Sequence, residues 1–128
     1  MEFEASFTMI GDDEQRTPHE LTAESAAATV IAIDQQLYDE AGEPWERGER
    51  IGEAHGIAVT THGGRVVCHL TFEIGDEDTI VAQGVLPHVG GSVGGGRIAV
   101  TGGTGRFHRA SGTLQIESRN PKRYRFAV

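Results

Sequence analysis

Three residues pair a hydrogen-bonding head with apolar neighbours: Tyr38, Gln83 and Tyr124. Each can offer an O–H or N–H to a substrate carbonyl, the polarisation that assists bond formation on a conjugated system. Each also has a plainer role. The tyrosines can be strand-end residues, and Gln83, which shares a face with Val81 and Val85, can belong to a subunit contact. The other reactive residue types form weaker patterns. The six histidines, His19, His55, His62, His69, His88 and His108, include no His-x-His pair and no His-Glu-x-x-His, so no metal site is expected. His55 and His69 fall on neighbouring predicted strands, where they could converge. Cys68, the one cysteine, alternates with Leu70, Phe72 and Ile74 and reads as a small buried hydrophobe. A nucleophilic thiol would need a base and an electropositive setting that the sequence does not supply. The glycine-rich pieces contain no Gly-x-x-x-x-Gly-Lys, and Gly102–Gly105 lacks dinucleotide spacing and a following helix. They read as turns, and no cofactor is expected.

The elements that must position these groups are strands. Residues 2–9 alternate Phe3, Ala5, Phe7 and Met9 with Glu2, Glu4, Ser6 and Thr8, the period of a half-buried strand. Residues 10–25 are polar and read as a long loop containing Asp12 and Asp13, with an Ala-rich piece at 23–28 able to form one helical turn. Further strands are predicted at 28–39, 50–61, 66–74, 79–88, 97–101, 112–118 and 122–128. Turns fall at 39–44, 62–65 and 75–78, and a flexible loop at 90–96. In the 50–61 strand one face is all small, Gly52, Ala54, Gly56 and Ala58. Such a face allows close packing of another layer or leaves room for a ligand. Trp45 sits in the acidic stretch 39–50, as a lid over a barrel mouth or as an ordinary loop aromatic.

Eight short strands without an amphipathic helix point to a sandwich or a closed barrel, and an eight-stranded antiparallel barrel can just hold one small ligand. At 128 residues, with 38% apolar and 23% charged residues, the chain suits a single domain, 1–128, with a true core. A net charge of −8 argues against nucleic-acid and anionic-membrane partners. The lone cysteine and the acidic start, Met1-Glu2-Phe3-Glu4, suit a cytoplasmic protein. Residues 1–78 hold 18 acids and 4 bases, whereas residues 79–128 hold 1 acid, Glu117, and 7 bases. Closure would place the first strand beside the last, setting Glu2 and Glu4 near Arg123 and Arg125.

An ordered set of short motifs adds to this. Ile98-Ala99-Val100-Thr101-Gly102-Gly103-Thr104-Gly105-Arg106-Phe107 is followed by Gly112-Thr113-Leu114. Upstream stand Leu37-Tyr38, Arg50-Ile51-Gly52 with Gly56-Ile57, and Phe72-Glu73-Ile74-Gly75-Asp76 leading to Val81-Ala82-Gln83-Gly84. Over about residues 33–118 this set resembles the allene oxide cyclase and dirigent barrel superfamily. Tyr38-Asp39-Glu40-Ala41-Gly42 is similar to the small bacterial barrel cyclases of polyketide assembly. The resemblance implies an all-β, eight-stranded antiparallel barrel with an apolar lumen, assembled as a homodimer or homotrimer. It also implies a cofactor-free cyclase that holds an apolar, polyene-like intermediate and promotes intramolecular ring closure. The plant cyclases carry an acid late in strand one. If Pro18 matches their loop proline, that place falls near Met9, with Asp12 and Asp13 close by.

The site expected on these grounds has Tyr38, Gln83 and Tyr124 as polarising groups, with Phe3, Phe7, Ala54, Cys68, Leu70, Phe72 and Phe126 lining a ligand pocket. Ala54 is assigned inward and His55 outward. The alternatives are a non-catalytic carrier for a small hydrophobic ligand and a structural oligomer whose barrel is filled.

Overall fold

Period-two alternation is realised as strand almost throughout. The computed structural model describes residues 6–15, 18–20, 29–61, 63–89, 92–117 and 122–128. The strands are β1 (Ser6–Gln15), β2 (Pro18–Glu20), β3 (Thr29–Glu40), β4 (Arg47–Thr61), β5 (Arg65–Ile74), β6 (Asp78–Val89), β7 (Ser92–Val93), β8 (Gly96–Thr104), β9 (Gly112–Glu117) and β10 (Lys122–Ala127). Among the described residues there is no α-helix, only a 3-10 turn at Gly105–Phe107. The strand order β1-β10-β9-β8-β6-β5-β4-β3, with β1 also pairing β3, closes an eight-stranded antiparallel barrel. β2 continues along the same edge of β3 as β1, and β7 pairs with the end of β6.

The expected pairing of first and last strands is present, with Phe7 opposite Phe126 and Met9 opposite Tyr124. The polar stretch after Met9 is not a loop. β1 runs on to Gln15, with Asp12 opposite Gln36 and Asp13 opposite Gln35. Backbone pairing with β3 makes strand out of Asp12–Gln15, residues whose types give no alternation. Within the expected 90–96 loop, Ser92–Val93 are strand, with Val93 opposite His88. Phe3, Glu4, His62 and the Ala-rich piece at 23–28 lie outside the described residues, so the expected Glu4 pairing and helical turn fall there too.

The interior follows register. Val66, Cys68, Leu70 and Phe72 of β5 are buried, as expected, and so are Ala54 and Ala58 of β4 and Tyr124 and Phe126 of β10. Strands β5 and β10 lie on opposite sides of the ring. Their aromatic rings nevertheless meet: Phe72 packs edge-on against Tyr124 at 5.0 Å and against Phe126 at 5.1 Å between centroids. The barrel is therefore spanned at this level by a packed core. The small face of β4 serves that packing and leaves no vacancy. A Cβ on Gly56 would lie 2.5 Å from Leu70 Cδ2. Ala54, opposite Phe72, is fully buried, so a tryptophan there would disrupt the core instead of occupying free space.

One end is plugged by the Thr-Gly-Gly-Thr-Gly piece. Gly105, at φ +64, starts the 3-10 turn that buries Phe107, and Ala110 is buried just after it. The Asp78 carboxylate accepts from the Arg106 backbone N–H at 3.1 Å, and the Thr79 and Thr104 hydroxyls are 2.7 Å apart. The run expected as a turn is therefore mostly strand: Gly102, Gly103 and Thr104 pair with Val81, Ile80 and Thr79 in β8, and the turn begins only at Gly105.

Candidate lumenal site

Along β3, Ile31, Ile33, Gln35 and Leu37 share one parity and all are buried. Gln35 is thus a polar side chain inside the barrel, 1% exposed. Two strands away, beyond β1, Tyr124 of β10 is also 1% exposed, and its hydroxyl donates to Gln35 Oε1. Room for this pair comes from Gly11: a Cβ there would collide with both Gln35 Oε1 and the Tyr124 ring. A buried amide and phenol that satisfy each other avoid the cost of an orphaned polar group. Above them, towards the end where β3 and β10 begin, Ile33, Cys68, Leu70, Leu86, Val93, Ile116, Lys122 and Tyr124 surround a cavity of about 10 Å³. That is the space one water needs, not a ligand-sized pocket.

The sequence-predicted residues divide accordingly. Tyr124, Ala54, Cys68, Leu70, Phe72 and Phe126 are inside. Phe7 is set opposite Phe126, and Phe3 lies outside the described residues. Two expectations are corrected. Tyr38 is half-buried on the outer wall, where the Arg47 guanidinium lies 4.4 Å from its ring centre. Strand alternation places it there, with Leu37 taking the inward place. Gln83 is exposed, between His69 and Ala99 of the adjacent strands, because β6 turns Ile80, Ala82 and Leu86 inward. Beside it the outer wall exposes Ile57, Val67 and Val85. Trp45, half-buried at φ +71, sits in the turn at the end away from Lys122, its backbone N–H donating to Glu40 Oε2 at 3.0 Å. Gln35 and Lys122 were missed, although each carries the parity of its buried neighbours.

Burial pushes the Cys68 thiol above its ordinary pKa, which leaves it protonated and unreactive at neutral pH. On the outer wall His55 does not converge with His69. Its Nδ1 lies 2.7 Å from Asp34 Oδ1 and its Nε2 3.1 Å from Glu53 Oε2. The Asp34 hydrogen bond leads in raising the His55 pKa. Glu53 also meets Arg50 at 2.8 Å, and Glu73 completes a His/carboxylate cluster whose polar atoms lie within 4.8 Å of one another. At the closing seam Arg123 joins three strands, with Nη2 2.8 Å from Glu40 Oε1 and Nη1 3.1 Å from Glu117 Oε2. The Arg123 hydrogen bond is the leading cause of a lowered Glu40 pKa. The basic end of the chain is thus neutralised on the barrel's outside, by Glu40 and Glu117.

No family model matches the chain, and no curated protein matches it. Solved structures do. Pyocyanin demethylase superposes with a TM-score of 0.74 at 19% identity, over 94% of this chain and 97% of that one. A pterocarpan synthase dirigent protein gives 0.65 at 18%, over 96% and 81%. AbnU, an exo-specific intermolecular Diels–Alderase, gives 0.65 at 16%, over 98% and 97%. At these identities the likeness is one of fold, and what the chain shares with them is the small antiparallel barrel.

Proposed function

We propose that this barrel is a cofactor-free cyclase for a conjugated, apolar biosynthetic intermediate. The supporting observation is the Tyr124–Gln35 pair, a phenol and an amide joined inside an otherwise apolar barrel. A flexible polyene held folded in such a lumen has already lost the torsional freedom that opposes ring closure. The apolar wall keeps water from the reacting carbons. The Tyr124 O–H, transferred from Gln35 Oε1 to a substrate carbonyl, withdraws electron density from the conjugated system and lowers the barrier. The names of two structural neighbours, a pterocarpan synthase dirigent protein and a Diels–Alderase, accord with templated bond formation.

Among the described residues the cavity beside Tyr124 has room for about one water, so a ligand seated there requires the Phe72–Tyr124–Phe126 contact to open. That closeness favours the second reading, a filled structural barrel. An apolar probe whose fluorescence rises on desolvation separates the two, since a permanently filled barrel leaves it dark. Turnover of a linear polyene bearing a conjugated carbonyl then separates a cyclase from a carrier. Binding without turnover, or turnover unchanged in Tyr124→Phe, would refute the cyclase assignment.

A further inference from the structure

The outer wall over β8, β9 and β10 carries a basic groove, in a chain whose net charge is −8. Strand register sets Thr8, Arg125, Gln115 and Arg97 in one row, each directly opposite the next. The neighbouring row is short, with Thr113 of β9 opposite both Ala127 and Ala99. Long side chains beside short ones leave a groove of about 320 Å³, lined by the whole first row, by Thr113 and Ala127, and by Arg123. Its volume falls in the range of sites that hold a small molecule, but its lining is polar where such sites are ordinarily apolar. No carboxylate is part of that lining. The three arginines are unequally satisfied. Arg123 is held by Glu40 and Glu117. Arg125 is exposed and reaches Glu117 through Nη1, at 3.3 Å. Arg97 is exposed, and among the described residues its side chain has no ion-pair or hydrogen-bond partner.

We propose that this groove is an oxyanion site, in which Arg97 and Arg125 hold the phosphate group of a small phosphate ester over Gln115. The two arginines stand two strands apart with Gln115 between them, about 10 Å between Cα positions at the usual strand spacing. They therefore approach an anion there from opposite sides. A guanidinium fork engages two oxygens at once. A tetrahedral phosphate can turn a pair of oxygens to each fork, whereas a planar carboxylate has one pair to give. The Gln115 amide and the Thr8 and Thr113 hydroxyls are further donors around the same space. The groove is larger than a bare phosphate fills, which favours a phosphate carried on an organic group. The net charge of −8 opposes a long polyanion such as a nucleic acid. The groove is on the outside of the wall, so this site stands or falls independently of the lumenal function proposed above.

The test is two-dimensional NMR of the arginine Nε–Hε groups, titrating the protein with phenyl phosphate, inorganic phosphate and acetate at one constant ionic strength, since salt screens exposed charges. The proposal expects the Arg97 and Arg125 signals of the unaltered protein to move together and saturate with phenyl phosphate, and acetate to bind at least about tenfold more weakly. Arg97→Gln should weaken phenyl phosphate by about three- to tenfold, the loss of one charged contact at an open site. Arg65→Gln, at an exposed arginine of β5 outside the groove, should leave it unchanged. Gln115→Glu, which sets a carboxylate between the two arginines, should abolish binding. Tighter binding of phenyl phosphate than of inorganic phosphate supports the ester, and equal binding of the two overturns it. No saturable movement in the unaltered protein, an equal response to acetate, or binding unchanged in both Arg97→Gln and Gln115→Glu overturns the site. Movement of the two signals on raising protein concentration alone would give the groove to a second copy of the chain, and overturns it as well.

Discussion

Replacing Tyr124 by Phe deletes one hydroxyl and leaves the ring that packs edge-on against Phe72 at 5.0 Å. Gln35 Oε1 loses the donor that reaches it past Gly11 from two strands away, at a position 1% exposed. A buried amide oxygen deprived of a donor costs about 1–3 kcal/mol, so a loss of about 2 kcal/mol is expected. For a domain of this size each kcal/mol moves Tm by about 3–5 °C, which makes the fall roughly 6–10 °C. Gln35→Met, which keeps length and removes the acceptor, should cost a similar amount by stranding the phenol. Exchanging both partners for apolar groups of matching shape costs much less than the two single changes together. Urea denaturation of the four proteins measures this coupling, expected at about 1–2 kcal/mol. Strict additivity, with the double variant losing the sum of the single losses, would refute the pair as the organising polar contact of the lumen.

Three further outcomes are expected. Arg123→Ala should destabilise the barrel by about 1–2 kcal/mol in chemical denaturation, because it leaves Glu40 and Glu117 facing each other at the seam without their shared cation. The Glu40 pKa is lowered in the folded state, so its contribution is present above the ordinary carboxylate value of 4.5 and disappears as pH falls through the lower folded value. The acid-side loss of Tm should therefore be shallower in Arg123→Ala. The His55 pKa is raised above 6.5, chiefly by Asp34, so its ion pair stabilises fully below 6.5 and is lost as pH rises through the folded value. A Tm profile from pH 6 to 8 should show that decline, and Asp34→Asn should flatten it; an unchanged slope would contradict the pairing. Finally, Cys68 should resist a thiol-reactive aromatic disulfide in the native protein and react fully in denaturant, since burial keeps the thiol protonated and out of reach. Native-state labelling at the denatured rate would place the cysteine outside the lumen.

Local pattern alone determined much of the barrel: where most of the strands lie, and that Val66, Cys68, Leu70 and Phe72 share the inner face. Alternation carries that information because a strand turns successive side chains to opposite faces. It says which residues share a face, and it does not say which face is inside when both are apolar. In β6, Ile80, Ala82 and Leu86 compete with Val81, Gln83 and Val85, and only closure of the barrel settled that Gln83 stays outside. Tyr38 is outside for the same reason, since it alternates with Ile33, Gln35 and Leu37, and closure turns their face inward. The polar residues Asp12–Gln15 became strand because partners on β3 supplied the hydrogen bonds, a cause that lies elsewhere in the chain. The filling of the lumen and the burial of Lys122 are tertiary in the same sense. Both depend on which side chains meet from opposite walls, a distance fixed by strand number and tilt and not by any local stretch of residues.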